Sequence, residues 1–188
     1  NAAGHKLPSG LPSRRAWLHL LITNPGGTVV FESGRPTGDG GIEGNDAENP
    51  DPASLPYEPH YDEAIISPDQ VQIYEPIMGN TDNDVTYTLL RASQYLKDNR
   101  LTPQGFDKNS VPQDVAVVGE AMNDANFNQG VDEVTYRFTN TGVGDLLVTV
   151  SLYYQPLAHG VLQDLFTESG LQQVSSFKTM YDKQVLKY

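Results

Sequence analysis

The sequence predicts a mainly β fold, an antiparallel β-sandwich of immunoglobulin-like or jelly-roll-like type with one or two C-terminal helices. Three observations indicate it: short runs with two-residue alternation, turn-forming Gly, Pro and Asn between them, and a helical spacing of apolar residues after Pro156. The chain has 188 residues, enough for one domain with its own core. We therefore expect a single domain over 1–188.

A β-hairpin opens the predicted sheet. Residues 15–23 alternate, with Ala16, Leu18, Leu20 and Ile22 on one face, which is typical of a strand with one dry face. Asn-Pro-Gly-Gly at 24–27 is a turn signal, and 28–32 supplies the return strand.

Further strand-like runs follow along the chain. They are rich in β-branched and aromatic residues, and they lie at 64–66, 71–74, 85–90, 91–96, 115–118, 133–139 and 146–154. In the last run the alternate residues form an apolar face, namely Leu146, Val148, Val150, Leu152 and Tyr154.

The C-terminal segment 156–188 changes to helical spacing. One apolar stripe begins at Leu157 and ends at Phe166, and Gly170 marks a stop. A second stripe, which begins at Val174 and ends at Val185, predicts the other helix.

The segment 34–63 is predicted as a long acidic surface loop. It is poor in apolar residues, and its oxygen donors and glycines suit calcium, although the spacing is not that of an EF-hand. The candidate calcium ligands are Asp39, Glu43, Asn45 and Asp46 in the loop and Asp82 and Asp84 in a later turn. Asp124 with Asp132 is a weaker cluster, and a solvated loop without metal is the alternative.

Composition excludes several functions. The 24 acidic against 12 basic residues, a net charge of −12, disfavour binding to nucleic acid or anionic membranes. The chain contains no cysteine, so it has no disulfide, no thiolate metal site and no covalent c-type haem. The sequence contains no apolar run of 18 residues, so it predicts no membrane-spanning segment. No nucleophile elbow, phosphate loop or dinucleotide fingerprint is present, and we expect no enzymatic activity.

Two of the four histidines are candidate site residues. His5 lies in the segment 4–15, where prolines and glycines specify an unusual rigid backbone. His60 ends the acidic loop among aromatic and carboxylate residues and is a weaker metal-ligand candidate. For His19 we expect a half-buried strand position, and for His159 a solvated helix face.

Several runs resemble the multihaem c-type cytochrome family, in which they belong to a β-rich domain after the haem-bearing region. The most specific are Gly-His-Lys-Leu-Pro-Ser-Gly at 4–10, followed by Arg-Arg-Ala-Trp-Leu at 14–18, and Tyr-Leu-Lys-Asp-Asn-Arg-Leu at 95–101. Tyr-Glu-Pro-His-Tyr at 57–61 and Gln-Ile-Tyr-Glu at 72–75 are similar to the family as well. The resemblance covers about 1–106 and, more loosely, 124–154.

The resemblance implies a periplasmic or extracellular electron-transfer setting. Together with the composition of the acidic loop, it leads us to expect a non-catalytic accessory domain that supports haem packing, docking or assembly, with calcium ordering the loop. Because this chain has no C-x-x-C-H, the haem belongs to another region or a redox partner, and His5 is the candidate distal ligand. The alternative is a calcium-dependent module that binds carbohydrate or a surface polymer, with Tyr57, Tyr61 and Tyr74 as a stacking platform.

Overall fold

The computed structural model describes residues 1–8, 10–45, 55–140, 142 and 144–184. Asp46, one of the candidate calcium ligands, lies outside these residues. The strands are β1 (Arg15–Thr23), β2 (Val29–Ser33), β3 (Ile73–Tyr74), β4 (Pro76–Gly79), β5 (Gln94–Asp98) and β6 (Leu147–Gln155). The helices are α1 (His159–Thr167) and α2 (Gln172–Tyr181), and short 3-10 turns occur at Leu89–Arg91, Gln113–Val115 and Glu120–Met122.

β1 is the centre of the main antiparallel sheet. One of its edges pairs with β2 and then with β3, and its other edge pairs with β6 over the full strand, from Arg15 opposite Gln155 to Thr23 opposite Leu147. The predicted hairpin is confirmed: the Asn24 and Thr28 backbones are hydrogen-bonded, and Gly27 takes the positive φ of +81° that the turn requires. β4 and β5 form a second, two-stranded antiparallel sheet.

The mainly β class with two C-terminal helices is confirmed, whereas four of the expected strands do not form. The run 85–90 gives one bridge at Val85 and then a 3-10 turn, and 115–118 gives a turn and a bridge at Val118. The runs 64–66 and 133–139 form no strand, and they meet only in the parallel bridge between Ile65 and Tyr136. These segments form isolated bridges instead of ladders, because β-branched and aromatic composition does not by itself supply a partner strand.

The core consists of three apolar clusters around the main sheet. Trp17 centres the first, Leu20 with Ile22 the second, and Tyr74 with Phe127 the third. Both faces of β1 are therefore covered, because Trp17 is fully buried on the face opposite Leu20.

Residues 34–42, at the start of the acidic segment, pack against the main sheet, whereas the sequence predicts a surface loop for the whole segment 34–63. Ile42 is 1% exposed and packs in the Trp17 cluster. The Gly40 carbonyl accepts hydrogen bonds from the side chains of Arg15 and Gln155, and Trp17 Nε1 donates to the Gly34 carbonyl. One apolar residue and three side-chain donors thus fix residues 34–42 against the sheet, which the low apolar content did not predict.

The two helices close the chain as expected. Leu162 of α1 and Val174 of α2 are buried, and Phe166 lies 6.1 Å from Phe177 between ring centroids. Neither of these helices has the length and apolar character needed to cross a membrane, nor does any other helix among the described residues.

Candidate functional site

The acidic side chains at 39 and 43 are engaged near their own turns. Asp39 Oδ1 accepts hydrogen bonds from the Thr37 hydroxyl at 2.5 Å and from the Gly41 N–H at 3.3 Å. The Thr37 hydrogen bond lowers the pKa of Asp39 below its ordinary value. The Glu43 carboxylate is 65% exposed and lies 3.8 Å from Arg35.

The remaining calcium candidates are spread over the chain. Asn45 is buried, whereas Asp82 and Asp84 are exposed in a turn where their backbone N–H groups donate to Asn80 Oδ1. Among the described residues, these positions form no group of three His, Asp or Glu ligand atoms close enough to share an ion. Calcium binding by this loop stays a prediction.

One such group does occur in the described part of the chain, and it lies in the interior. His60, Asp124 and Asp132 bring one ligand atom each within 4.8 Å of one another. The sequence singled out His60 and the Asp124–Asp132 pair separately, and the tertiary structure brings them together. The His60 side chain is fully buried and that of Asp124 is 3% exposed.

The partners of His60 fix its tautomer. Gln72 Nε2 and Asn99 Nδ2 lie 2.9 and 3.2 Å from His60 Nδ1, and the amide orientations are set because Gln72 Oε1 accepts the Tyr61 N–H and Asn99 Oδ1 accepts the Glu75 N–H. Two donors face Nδ1, so Nδ1 is the acceptor. The proton therefore resides on Nε2, which donates to Asp124 Oδ2 at 3.0 Å.

This tautomer bears directly on metal binding. A metal on Nε2 would displace that proton and require a proton on Nδ1, which faces two amide donors. The arrangement favours a structural hydrogen-bond network around a neutral imidazole, and the metal role of His60 stays a prediction.

Asp132 joins the network from the other side. Its Oδ2 accepts from the Tyr74 hydroxyl at 2.6 Å and from Gln72 Nε2 at 3.0 Å. Its Oδ1 and the Tyr136 hydroxyl are buried without a hydrogen-bond partner among the described residues. Burial, followed by the charge of Asp132, raises the pKa of Tyr136 to about 12, and the same two causes raise that of Tyr74 well above its usual value.

Two buried lysines supply positive charge beside this network. Lys97 Nζ donates to the carbonyls of Glu58 and Ile73 and lies 3.2 Å from a Glu75 carboxylate oxygen. Lys108 Nζ donates to the carbonyls of Ala121 and Asp124. Burial lowers the pKa of both lysines. The interior thus places the amino groups of two lysines close to its carboxylates and backbone carbonyls.

Sequence reasoning missed most members of this network. Gln72, Asn99 and Lys97 are buried polar residues that lie in or next to short strands, at positions where polar side chains usually face solvent. The available signal was the polar content of otherwise strand-like runs, but no spacing rule links residues 60, 72, 99, 124 and 132.

His5 lies apart from the network, at the surface. Its Nδ1 lies 2.9 Å from the Lys6 carbonyl, so Nδ1–H donates and Nε2 carries the lone pair. The segment around it is anchored by paired hydrogen bonds between the backbones of Leu7 and Leu101 and by the Lys6–Asp98 ion pair at 2.7 Å.

The other two histidines are less prominent. His19 is half-buried on β1, as predicted, and its Nε2 lies 2.9 Å from a Glu32 carboxylate oxygen. His159 is half-buried at the first position of α1, so the solvated helix face expected for it is found only in part: its Nδ1 is buried, whereas its Nε2 lies 3.2 Å from Gln163 Nε2 on the exposed side.

Comparison with known proteins adds no assignment. No family model matches the chain, and no curated protein or solved structure matches it.

Proposed function

We propose that this chain is a non-catalytic accessory domain of a secreted electron-transfer protein that resembles multihaem c-type cytochromes. In this proposal His5 provides an axial ligand to a haem iron held by another region or a redox partner. When bound, the haem supplies one-electron transfer, and this domain supplies the ligand and a fixed surface around it.

The observation that carries the proposal is the state of His5. An imidazole that donates from Nδ1 to a backbone carbonyl carries its lone pair on Nε2, which is the tautomer that an iron ligand requires. His5 is exposed, so an iron can approach it without unfolding the domain.

The anchoring of the segment gives further support. Asn1 Nδ2 donates to the carbonyls of His5 and Leu101, and Lys6 is held by Asp98 and the Ala116 carbonyl. A ligand that is already fixed in position loses little conformational entropy on binding, which favours its use in a docking surface.

The test uses a ferric haem c peptide with one open axial position. Titration of the domain into this peptide should convert it to the low-spin bis-histidine spectrum. His5→Ala should weaken this binding at least about tenfold, equivalent to about 1.4 kcal/mol. His159→Ala is the matched control, because it removes another histidine outside the anchored segment.

Two outcomes contradict the proposal. One is a low-spin spectrum that persists in His5→Ala, which would assign ligation to a different group. The other is the absence of any spectral change with the wild-type domain at concentrations where free imidazole binds.

A further inference from the structure

The apolar face of β6 is exposed although the same face of β1 is buried. Val150 is 61% exposed, while Leu20, directly opposite it on β1, is 4% exposed. Val148 is 54% exposed, while its partner Ile22 is 2% exposed. Leu152 and Tyr154 continue this row at 55% each. We call Val148, Val150, Leu152 and Tyr154 the β6 stripe.

The difference arises from where the second layer ends. Leu20 and Ile22 are covered by Ile65, Val134, Tyr136 and Phe138, which we call the covering layer. The covering layer lies over β1 and leaves β6 uncovered. The surface therefore has a step, with the stripe as its floor and the covering layer as its wall.

We propose that the β6 stripe packs face to face against the β6 stripe of a second copy of this chain. A two-fold axis parallel to the strands would bring the two stripes together and place each copy's sheet edge against the other copy's covering layer. Each copy would then complete the missing part of the other's second layer, at the spacing of about 10 Å typical of packed sheets.

Three observations favour a second copy as the occupant. A two-fold contact needs only one apolar patch, because both partners use the same one. β6 contains no charged residue, so no like charges meet where the two stripes face each other, despite the net charge of −12. The stripe also lacks the lysine or proline residues that commonly protect exposed strands from association.

The area sets the expected strength. Four side chains that are each more than half exposed present on the order of 400 Å², which is comparable to the largest apolar patch of a typical monomer, a patch that is often functional. Burying the stripe on both copies removes about 800 Å² in total, below the roughly 1,200 Å² of standard stable interfaces. The dimer should therefore be weak and dependent on concentration.

Sedimentation analysis from micromolar to near-millimolar protein tests this proposal. The wild-type mass should rise from 20.6 kDa towards twice that value. Leu152→Lys should raise the dissociation constant of the dimer at least about tenfold. The ammonium group of each copy would lose its hydration against the apolar stripe of the other copy and would face a like charge there. Leu90→Lys is the matched control, since Leu90 is 98% exposed and lies outside β6.

Single cysteines test the geometry independently of stability. The chain has no cysteine, so Val150→Cys and Thr149→Cys each carry one thiol, on opposite faces of β6. A short bismaleimide should link Val150→Cys into dimers much faster than Thr149→Cys. The proposal is overturned if the wild type stays monomeric throughout, if Leu90→Lys and Leu152→Lys weaken the dimer equally, or if both cysteine variants cross-link at the same rate.

Discussion

The interior around His60 and the surface of β6 reverse the usual distribution of side chains. Near His60 the molecule buries carboxylates, amides and lysines, whereas on β6 it exposes four large apolar side chains in a row. The polar interior is stable because nearly every buried group has a hydrogen-bond partner. The apolar surface of β6 has no comparable partner within the described chain. Substitutions around His60 should therefore lower the free energy of unfolding far more than substitutions on the exposed face of β6.

The largest expected effect is that of His60→Ala. The change removes the donor to Asp124 and the acceptor for Gln72 and Asn99, so a buried carboxylate and two amides lose a partner. We expect the free energy of unfolding to fall by about 3–5 kcal/mol. Urea unfolding measures it, with His5→Ala as the control, since an exposed histidine should change stability by less than about 0.5 kcal/mol. Equal stability of the two variants would refute the structural role of His60.

The second prediction compares two residues that are paired in register on adjacent strands, Leu20 on β1 and Val150 on β6. Leu20→Ala should cost about 2–5 kcal/mol because it opens a cavity beneath the covering layer. Val150→Ala should cost less than about 1 kcal/mol, because its side chain is largely solvated in the monomer. Chemical denaturation at low protein concentration gives both values, and a large loss for Val150→Ala would show that the stripe is already covered.

The third prediction concerns the alkaline limb of the stability profile. The pKa of Tyr136 is raised to about 12 in the folded state from an ordinary value of 10.0. The folded state therefore holds this proton more tightly, so the stabilisation is complete below pH 10 and is lost between pH 10 and about pH 12. The loss amounts to about 3 kcal/mol, because each pKa unit corresponds to about 1.4 kcal/mol.

Tyr136→Phe separates this contribution from the rest. The variant should match or exceed wild-type stability at neutral pH, because it removes a buried hydroxyl without a partner in the described residues. It should also lose less stability than the wild type between pH 10 and pH 12. The same alkaline slope in both proteins would assign the loss to other groups, Tyr74 first among them.

The smallest expected effect is that of chelation. The described acidic groups Asp39, Asp82 and Asp84 lie in turns that carry their own hydrogen bonds. We expect excess EDTA to shift the melting midpoint by less than about 1 °C relative to excess calcium, under roughly 0.5 kcal/mol for a domain of this size. A clearly higher midpoint in calcium would instead support the predicted calcium site.

The sequence alone determined the features that depend on neighbouring residues. The alternation at 15–23 with the Asn-Pro-Gly-Gly turn identified the hairpin, and the stripe after Pro156 identified the two helices. Periodicity and turn residues are enough to predict these elements, because the pattern of apolar and polar side chains that marks each one repeats every two to four residues along the chain. The lack of cysteine likewise excluded covalent haem without any structure.

Only the tertiary structure decided which polar residues are buried and which apolar residues are exposed. His60, Gln72, Asn99 and Asp124 meet because separate segments converge on one point, and their spacing in the chain carries no sign of it. The β6 stripe has the pattern of a buried strand face, yet it is exposed, because its burial depends on how far the covering layer extends beyond β1. Alternation specifies which side chains share a face, whereas the packing of distant segments determines whether that face is covered.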